Sequence, residues 1–219
     1  MKINIAMDGP SAAGKSTIAK QLCQKLGYVH LDTGAMYRCT ARKALDCGID
    51  LNDEDAVCEM LKNTVIELTP DGKVFLDGKD VSLAIRTDDT SMAASTVSKL
   101  QRVREDLVAR QQEMAKAGGF IMDGRDIGTV VLKDAQVKIY MTASPEARAK
   151  RRYDQNIKQG IPTSDIATIA EEIRQRDWQD MHREHSPLRK ADDAVEIDTS
   201  DMTIAEVTEA IYQLAVPFL

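Results

Sequence analysis

Long apolar runs are missing from this 219-residue chain. No stretch approaches the roughly 18 uncharged residues that a bilayer-spanning helix needs, so no membrane segment is expected. A signal-peptide layout is missing too, because Lys2 precedes only a brief apolar run that Asp8 interrupts before an h-region can form. Cysteine is scarce. Cys23, Cys39, Cys47 and Cys58 form no CxxC pair and have three histidines for company, which argues against a zinc site and against a disulfide framework. A reduced, cytoplasmic setting is the expectation. Aromatic residues are 4% of the chain and no basic stretch is interleaved with them, while the formal charge is −6. A long polynucleotide would ask for a broad basic face, so no nucleic-acid partner is expected. What positive charge there is gathers around 148–152 and 174–190, a distribution suited to small phosphorylated ligands. The length suffices for a buried core without staples and implies one domain with small insertions.

The most specific feature is a strand-like run, Ile3 to Met7, that opens directly into GPSAAGKST and then into a helix-like stretch, Ile18 to Leu26. This is the sequence form of a phosphate-binding P-loop. It spans Gly9, Pro10, Ser11, Ala12, Ala13, Gly14, Lys15, Ser16 and Thr17. Gly9 and Gly14 let backbone N–H groups curl around a phosphate, Lys15 reaches its outer oxygens, and Ser16 can hold Mg²⁺. A nucleoside triphosphate is the expected ligand. Ala13 stands where a glycine would have freedom at positive φ, so an ordinary backbone conformation is expected there.

Further along, Tyr28 to Arg38 reads as a short strand ending at Asp32-Thr33-Gly34 and a following helix, which the Thr33 hydroxyl can cap. Thr64 to Val81 alternates around Asp71-Gly72 and Asp77-Gly78, the pattern of small antiparallel strands in an inserted piece. A helical region is expected from about Asp88 to Lys116. Phe120 to Met122 is a fully apolar strand of the kind a parallel sheet buries on both faces, and Asp123 stands at its carboxyl end, where ligands of open α/β sheets sit. A carboxylate there can order the waters around Mg²⁺, and Arg125 and Asp126 follow on the same rim.

The strand Val137 to Ala143 meets a helix start at Ser144-Pro145. That helix presents Arg148, Arg151 and Arg152 ahead of the hinge-like Gly160-Ile161-Pro162, an arrangement that can close over phosphates and exclude water. A long helix from about Ser164 to Glu184 then places Arg176, Asp180 and Arg183 at i, i+4 and i+7 on one face, offering forked donors to an anion. Ala194 to Ser200 and Ile204 to Ala215 are the last strand and helix. No base-reading NKxD segment marks a GTPase, and the chain is small for an ABC or helicase ATPase. The residues by themselves specify phosphoryl transfer to a small anionic acceptor, which needs positioning and neutralised oxygens more than a dedicated base. They leave open which acceptor, UMP included, and leave RNA recruitment by a nucleotide-dependent binding protein as a reading of another class.

Taken together, GPSAAGKST, LDTGAMYR, QRVREDL, DGRDIGTVV and RQRDWQDMHRE resemble the bacterial cytidylate kinases of the P-loop nucleoside monophosphate kinase group, in order and over nearly the whole chain. The resemblance implies an α/β fold: a P-loop three-layer core with a parallel sheet, an inserted nucleotide-monophosphate-binding subdomain and a short LID. The core would comprise 1–34, 118–147 and 163–219, the subdomain 35–117 with an insertion near 64–81, and the LID 148–162. It implies ATP and Mg²⁺ as cofactors, with Ser16 and Asp123 on the metal, and CMP or dCMP bound between core and inserted subdomain. Lys15, Asp123, Arg148, Arg151 and Arg152 would be catalytic. Ser95, Arg104 and Asp126 would read the cytosine, Arg38, Arg125 and Arg183 would hold the acceptor phosphate, Arg176 and Asp180 would face the ribose, and Asp32 and Thr33 would line the same pocket. A monomer is expected.

Overall fold

The computed structural model describes residues 2–69, 71–161 and 163–219. Its strands are β1 (Ile5–Asp8), β2 (Val29–Asp32), β3 (Ile66–Leu68), β4 (Val74–Leu76), β5 (Lys79–Asp80), β6 (Phe120–Gly124), β7 (Val137–Thr142) and β8 (Val195–Asp198). The α-helices are α1 (Lys15–Leu26), α2 (Thr33–Asp46), α3 (Glu54–Lys62), α4 (Asp88–Val97), α5 (Gln101–Ala115), α6 (Pro145–Gln159), α7 (Ile166–His182) and α8 (Ile204–Ala215). The chain divides into two compact units, Met1–Tyr28 with Gly118–Leu219, and Val29–Ala117. The division falls ahead of the boundary expected after residue 34.

In the first unit β6, β1, β7 and β8 lie side by side and parallel. The register sets Ile5 opposite Ile121 and Val137, and Asp8 opposite Gly124 and Tyr140. The carboxyl ends of β1 and β6 therefore align, and the segments that leave them start from one rim of the sheet. Ile5, Met7, Ile121, Ile139 and Met141 from the strands meet Ile18 and Leu22 of α1 and Val207 and Ile211 of α8 in one core. Each such side chain, fully withdrawn from water, contributes about 1.5–3 kcal/mol. Local signals agree with the packing. Ser144 caps α6 by accepting from Ala147 N, with Pro145 at the first turn, and Thr203 and Glu206 form a capping box on α8. A smaller core of Ala149, Ile169, Ala170 and Ile173 joins α6 to α7.

The second unit holds α2 to α5 and a three-stranded antiparallel sheet, β3-β4-β5, in which Ile66 faces Leu76 and Phe75 faces Asp80. Its turns use Gly72 at φ 83° and Gly78 at φ 79°, the left-handed backbone that glycine adopts without strain. The helical region expected over 88–116 consists of two helices, α4 and α5. Leu100 is extended, at φ −73° and ψ 120°, and the Ser98 carbonyl that the break releases accepts from Arg104 Nη1 at 3.1 Å. Among the described residues no helix is long and apolar enough to cross a membrane. All four cysteines are free, and burial pushes the Cys23 and Cys39 thiols up to about 12.

Candidate active site

The P-loop leaves β1 through a steric constraint. Gly9 has φ 145°, and a Cβ there would lie 2.0 Å from the Met141 carbonyl oxygen. Only hydrogen fits. Gly14, at φ 94°, precedes α1 without giving it a side-chain cap, so the first N–H groups of a 12-residue helix remain available to an anion. Besides the two glycines, the loop has positive φ at Ala12 (φ 60°), one residue before the position singled out in the sequence, and Ala13 is packed into the core. Lys15 is buried and donates from Nζ to the carbonyls of Gly9 and Pro10, both at 2.7 Å. Burial, and after it the Arg125 guanidinium, push the ammonium down from 10.5 to about 7 against the pull of Asp123, Asp8 and Asp180. Ser16 Oγ donates to Asp123 Oδ2 at 2.8 Å, bringing the two expected metal oxygens together. Thr17 is exposed on the first turn of α1.

The lowered Lys15 value has a consequence for stability. An amine whose folded pKa lies below its unfolded one binds fewer protons in the folded state between about 7 and 10.5, so its contribution to stability rises with pH across that window. Below pH 7 the full cost of the buried charge is present. Melting curves of the ligand-free protein and of Lys15→Met at pH 7 and pH 9 should show the wild type gaining on the variant by roughly 4–8 °C, about 2 kcal/mol at this chain length. A constant difference would mean that Lys15 does not titrate there.

Beyond β6, an arginine–carboxylate cluster is built within the same unit. Arg125 Nε pairs with Asp180 Oδ2 at 2.8 Å, and Arg183 Nη2 lies 3.9 Å from Asp126 Oδ1. Burial works to raise the Asp180 carboxyl, but the Arg125, Arg176 and Arg183 guanidiniums outweigh it and hold it below the ordinary value. Arg183 is not on the helical face that its spacing suggests. Helix α7 ends at His182, Arg183 is extended (φ −66°, ψ 145°), and its Nε donates to Ser186 O at 2.7 Å around the sharp turn at Ser186. Three guanidiniums thus stand against the carboxylates of Asp126 and Asp180, a surplus of forked donors suited to phosphate. Asp180→Ala would leave the half-buried Arg125 guanidinium without its carboxylate partner. Urea denaturation should register a loss of about 3 kcal/mol, whereas unchanged stability would show that Arg125 finds water instead.

The arginines of α6 are anchored. Arg148 is buried and donates from Nε to Ala143 O (2.8 Å) and from Nη1 to Ser11 O (3.2 Å), while Nη2 pairs with Asp177 at 2.6 Å. Arg151 donates to Thr199 Oγ1 at 3.1 Å and to the carbonyls of Thr199 and Ser200. Arg152 is half-buried. Gly160 ends α6 in the left-handed conformation at φ 67°, an ordinary helix C-cap whose N–H donates to Asn156 O and Ile157 O. Pro162, the last residue of the expected hinge, lies outside the described residues.

In the second unit the cap of α2 is Asp32, which accepts from Ala35 N at 3.0 Å; Thr33, given that task from sequence, is instead the first helical residue and is buried. The carboxylate also takes Arg38 Nη2 at 2.8 Å. Gly34 makes room for this pair, since a Cβ there would meet Arg38 Nη1 at 3.0 Å and Asp32 Oδ1 at 3.2 Å. Arg104 is buried, with its guanidinium 5.4 Å from the centre of the Tyr37 ring, and Ser95 is half-buried on α4. Three participants escaped the sequence reading: Asp177, which partners Arg148; Tyr37, an aromatic already inside the LDTGAMYR motif; and Asp8. The only signal the sequence offers for the last is a carboxylate at the end of an apolar strand. It is buried and accepts the backbone N–H groups of Ile127 and Gly128.

Among the described residues no group of three or more His, Cys, Asp or Glu side chains could cage a metal. A hydroxyl and a single carboxylate instead suit Mg²⁺, which keeps its waters and shares substrate phosphates.

Comparison with known proteins agrees with this chemistry. The family model described as cytidylate kinase matches residues 5–216. A cytidylate kinase of Bacillus licheniformis is 54% identical over 217 residues, covering 97% of this chain and 96% of its own. One from Bacillus subtilis is 53% identical over 215 residues with the same coverage. The structure of an uncharacterized protein from Eubacterium ventriosum superposes with a TM-score of 0.54 at 11% identity, covering 99% of each chain, a likeness of fold alone. With the P-loop, the Ser16–Asp123 pair and the arginine cluster in place and a family match from end to end, the chain belongs to the cytidylate kinase family.

Proposed function

We propose that the protein transfers the γ-phosphoryl group of ATP to the phosphate of CMP or dCMP, giving ADP and CDP or dCDP. A phosphate oxygen of the acceptor forms the new P–O bond as the bond to the β-phosphate oxygen breaks, and the electron pair leaves on ADP. The observation that carries this reading is that one unit holds both a triphosphate cradle, with Lys15 and the Ser16–Asp123 pair, and an arginine cluster around two buried carboxylates that begins two residues after Asp123.

Each residue then has a task. The open N–H groups of α1 and Lys15 hold the donor phosphates and stabilise the charge that spreads over the transferring group. Ser16 and Asp123 would hold Mg²⁺, which when bound neutralises the phosphate oxygens. Arg38, Arg125 and Arg183 hold the acceptor phosphate, Arg176 and Asp180 the ribose, and Asp32 and Thr33 line the acceptor pocket. Ser95, Arg104 and Asp126 answer the acceptor and amine groups of the cytosine edge. Arg148, Arg151 and Arg152 serve the transferring phosphate from α6. With its four free cysteines, the protein suits a reduced cytoplasm, and it acts as a monomer.

The test is steady-state kinetics with CMP, dCMP and UMP on the wild type and on Asp126→Ala. CMP and dCMP should both be used, with UMP poorer. Loss of Asp126 should lower kcat/KM for CMP by about tenfold or more and compress its advantage over UMP. An unchanged ratio would move Asp126 from recognition to scaffold.

A further inference from the structure

Asp8 is the last residue of β1, joined directly to Gly9 of the P-loop and set opposite Gly124 of β6. Its side chain is buried, and its two oxygens are both used: Oδ1 accepts from Ile127 N and Oδ2 from Gly128 N, each at 2.7 Å. These donors open a short π-helical turn, Ile127–Val131, in which the Asp126 carbonyl accepts from Val130 N and Val131 N, and Leu132 N closes onto Ile127 O at 2.7 Å. The first N–H groups of such a turn have no partner within it, so the carboxylate caps it from outside. A Cβ at Gly128 would make ordinary contact with Asp8 Oδ2 at 3.4 Å and would press only on the Lys138 side chain, at 3.2 Å.

The segment held in this way is the one that carries Arg125 and Asp126. Two residues, Arg125 and Asp126, separate the end of β6 from the two clamped N–H groups. We infer that Asp8 is a positioning residue: by gripping Ile127 and Gly128 it holds the Arg125–Asp126 segment in register with the P-loop that starts at its own carboxyl end. It touches neither nucleotide. Its work is to set the acceptor-binding groups at a fixed distance from the donor cradle, and the inference rests on the acceptor roles proposed above for Arg125 and Asp126. Burial, opposed by the two backbone N–H groups, pushes the Asp8 carboxyl up to about 6, so near neutrality it is the ionised acceptor of both bonds.

Asp8→Asn tests this, because the amide keeps the shape but can accept on one side only and turns its own N–H₂ toward the other N–H. KM for CMP should rise at least about tenfold, the size of one lost charge-assisted hydrogen bond, while KM for ATP stays within about twofold. The CMP-over-UMP ratio should fall toward that of Asp126→Ala. Equal changes in both KM values, or a drop in thermal stability with both unchanged, would overturn the positioning role. Should Asp8→Asn fail to fold, Asp8→Glu, which keeps the charge but displaces the carboxylate by one methylene, is judged by the same split between acceptor and donor KM. If Asp126→Ala itself leaves the ratio unchanged, the cytosine-reading assignment falls, and Asp8 is then decided by the KM split alone.

Discussion

Replacing Lys15 by methionine should lower kcat by about 10²- to 10³-fold, the cost of removing one preorganised donor from charge that develops in the transition state. The reason is local. In the ligand-free protein the ammonium is held by the Gly9 and Pro10 carbonyls in a buried setting that disfavours its charge. A triphosphate supplies the counter-charge that this setting lacks, so much of the interaction is realised only when phosphate oxygens are present. Methionine keeps the length and loses the charge. Single-turnover rates on a variant shown to be folded by its urea transition measure the effect, and a loss below about tenfold would mean that the cradle's N–H groups suffice without the lysine.

The second large effect is Gly9→Ala. The added methyl would start 2.0 Å from the backbone oxygen of Met141, and because that atom belongs to a central strand the relief must come from the P-loop. Loop displacement carries the phosphate-binding N–H groups with it. A stability loss of about 2–4 kcal/mol is expected, with kcat/KM for ATP down by about 10²-fold or more. Gly14→Ala is the comparison. Nothing lies within 4 Å of a Cβ there, so only the strain of φ 94° opposes it, of order 1–2 kcal/mol. Equal losses at the two positions in chemical denaturation would show that the Met141 contact yields.

How much of this could be seen in the chain follows from how local each feature is. The P-loop was legible because its chemistry is contiguous, and Asp123 because an apolar parallel strand announces where its carboxyl end falls. The Asp71-Gly72 and Asp77-Gly78 turns marked the small antiparallel sheet for the same reason. Helical spacing misled at Arg183, where the chain leaves α7 and turns at Ser186; the break inside the helical region 88–116 went unmarked because no proline or glycine advertises it and a buried guanidinium takes up the released carbonyl. Asp8 was illegible as a clamp because its partners are backbone N–H groups 119 and 120 residues away, which no side-chain pattern records. The burial of Arg148 was hidden likewise. A run of charges reads as a solvated face until Ser11 and Asp177 are brought to it.

The central claim is phosphoryl transfer to a cytosine nucleotide, and the most direct measurement is product identification. Purified protein is incubated with ATP and Mg²⁺ and, separately, with CMP, dCMP, UMP, AMP and GMP, and the nucleotides are separated by ion-exchange chromatography at early times. CDP and dCDP should appear in equal amounts to ADP and faster than any other diphosphate product. ADP formation without a matching cytosine diphosphate, or faster conversion of UMP, AMP or GMP than of CMP, would contradict the account.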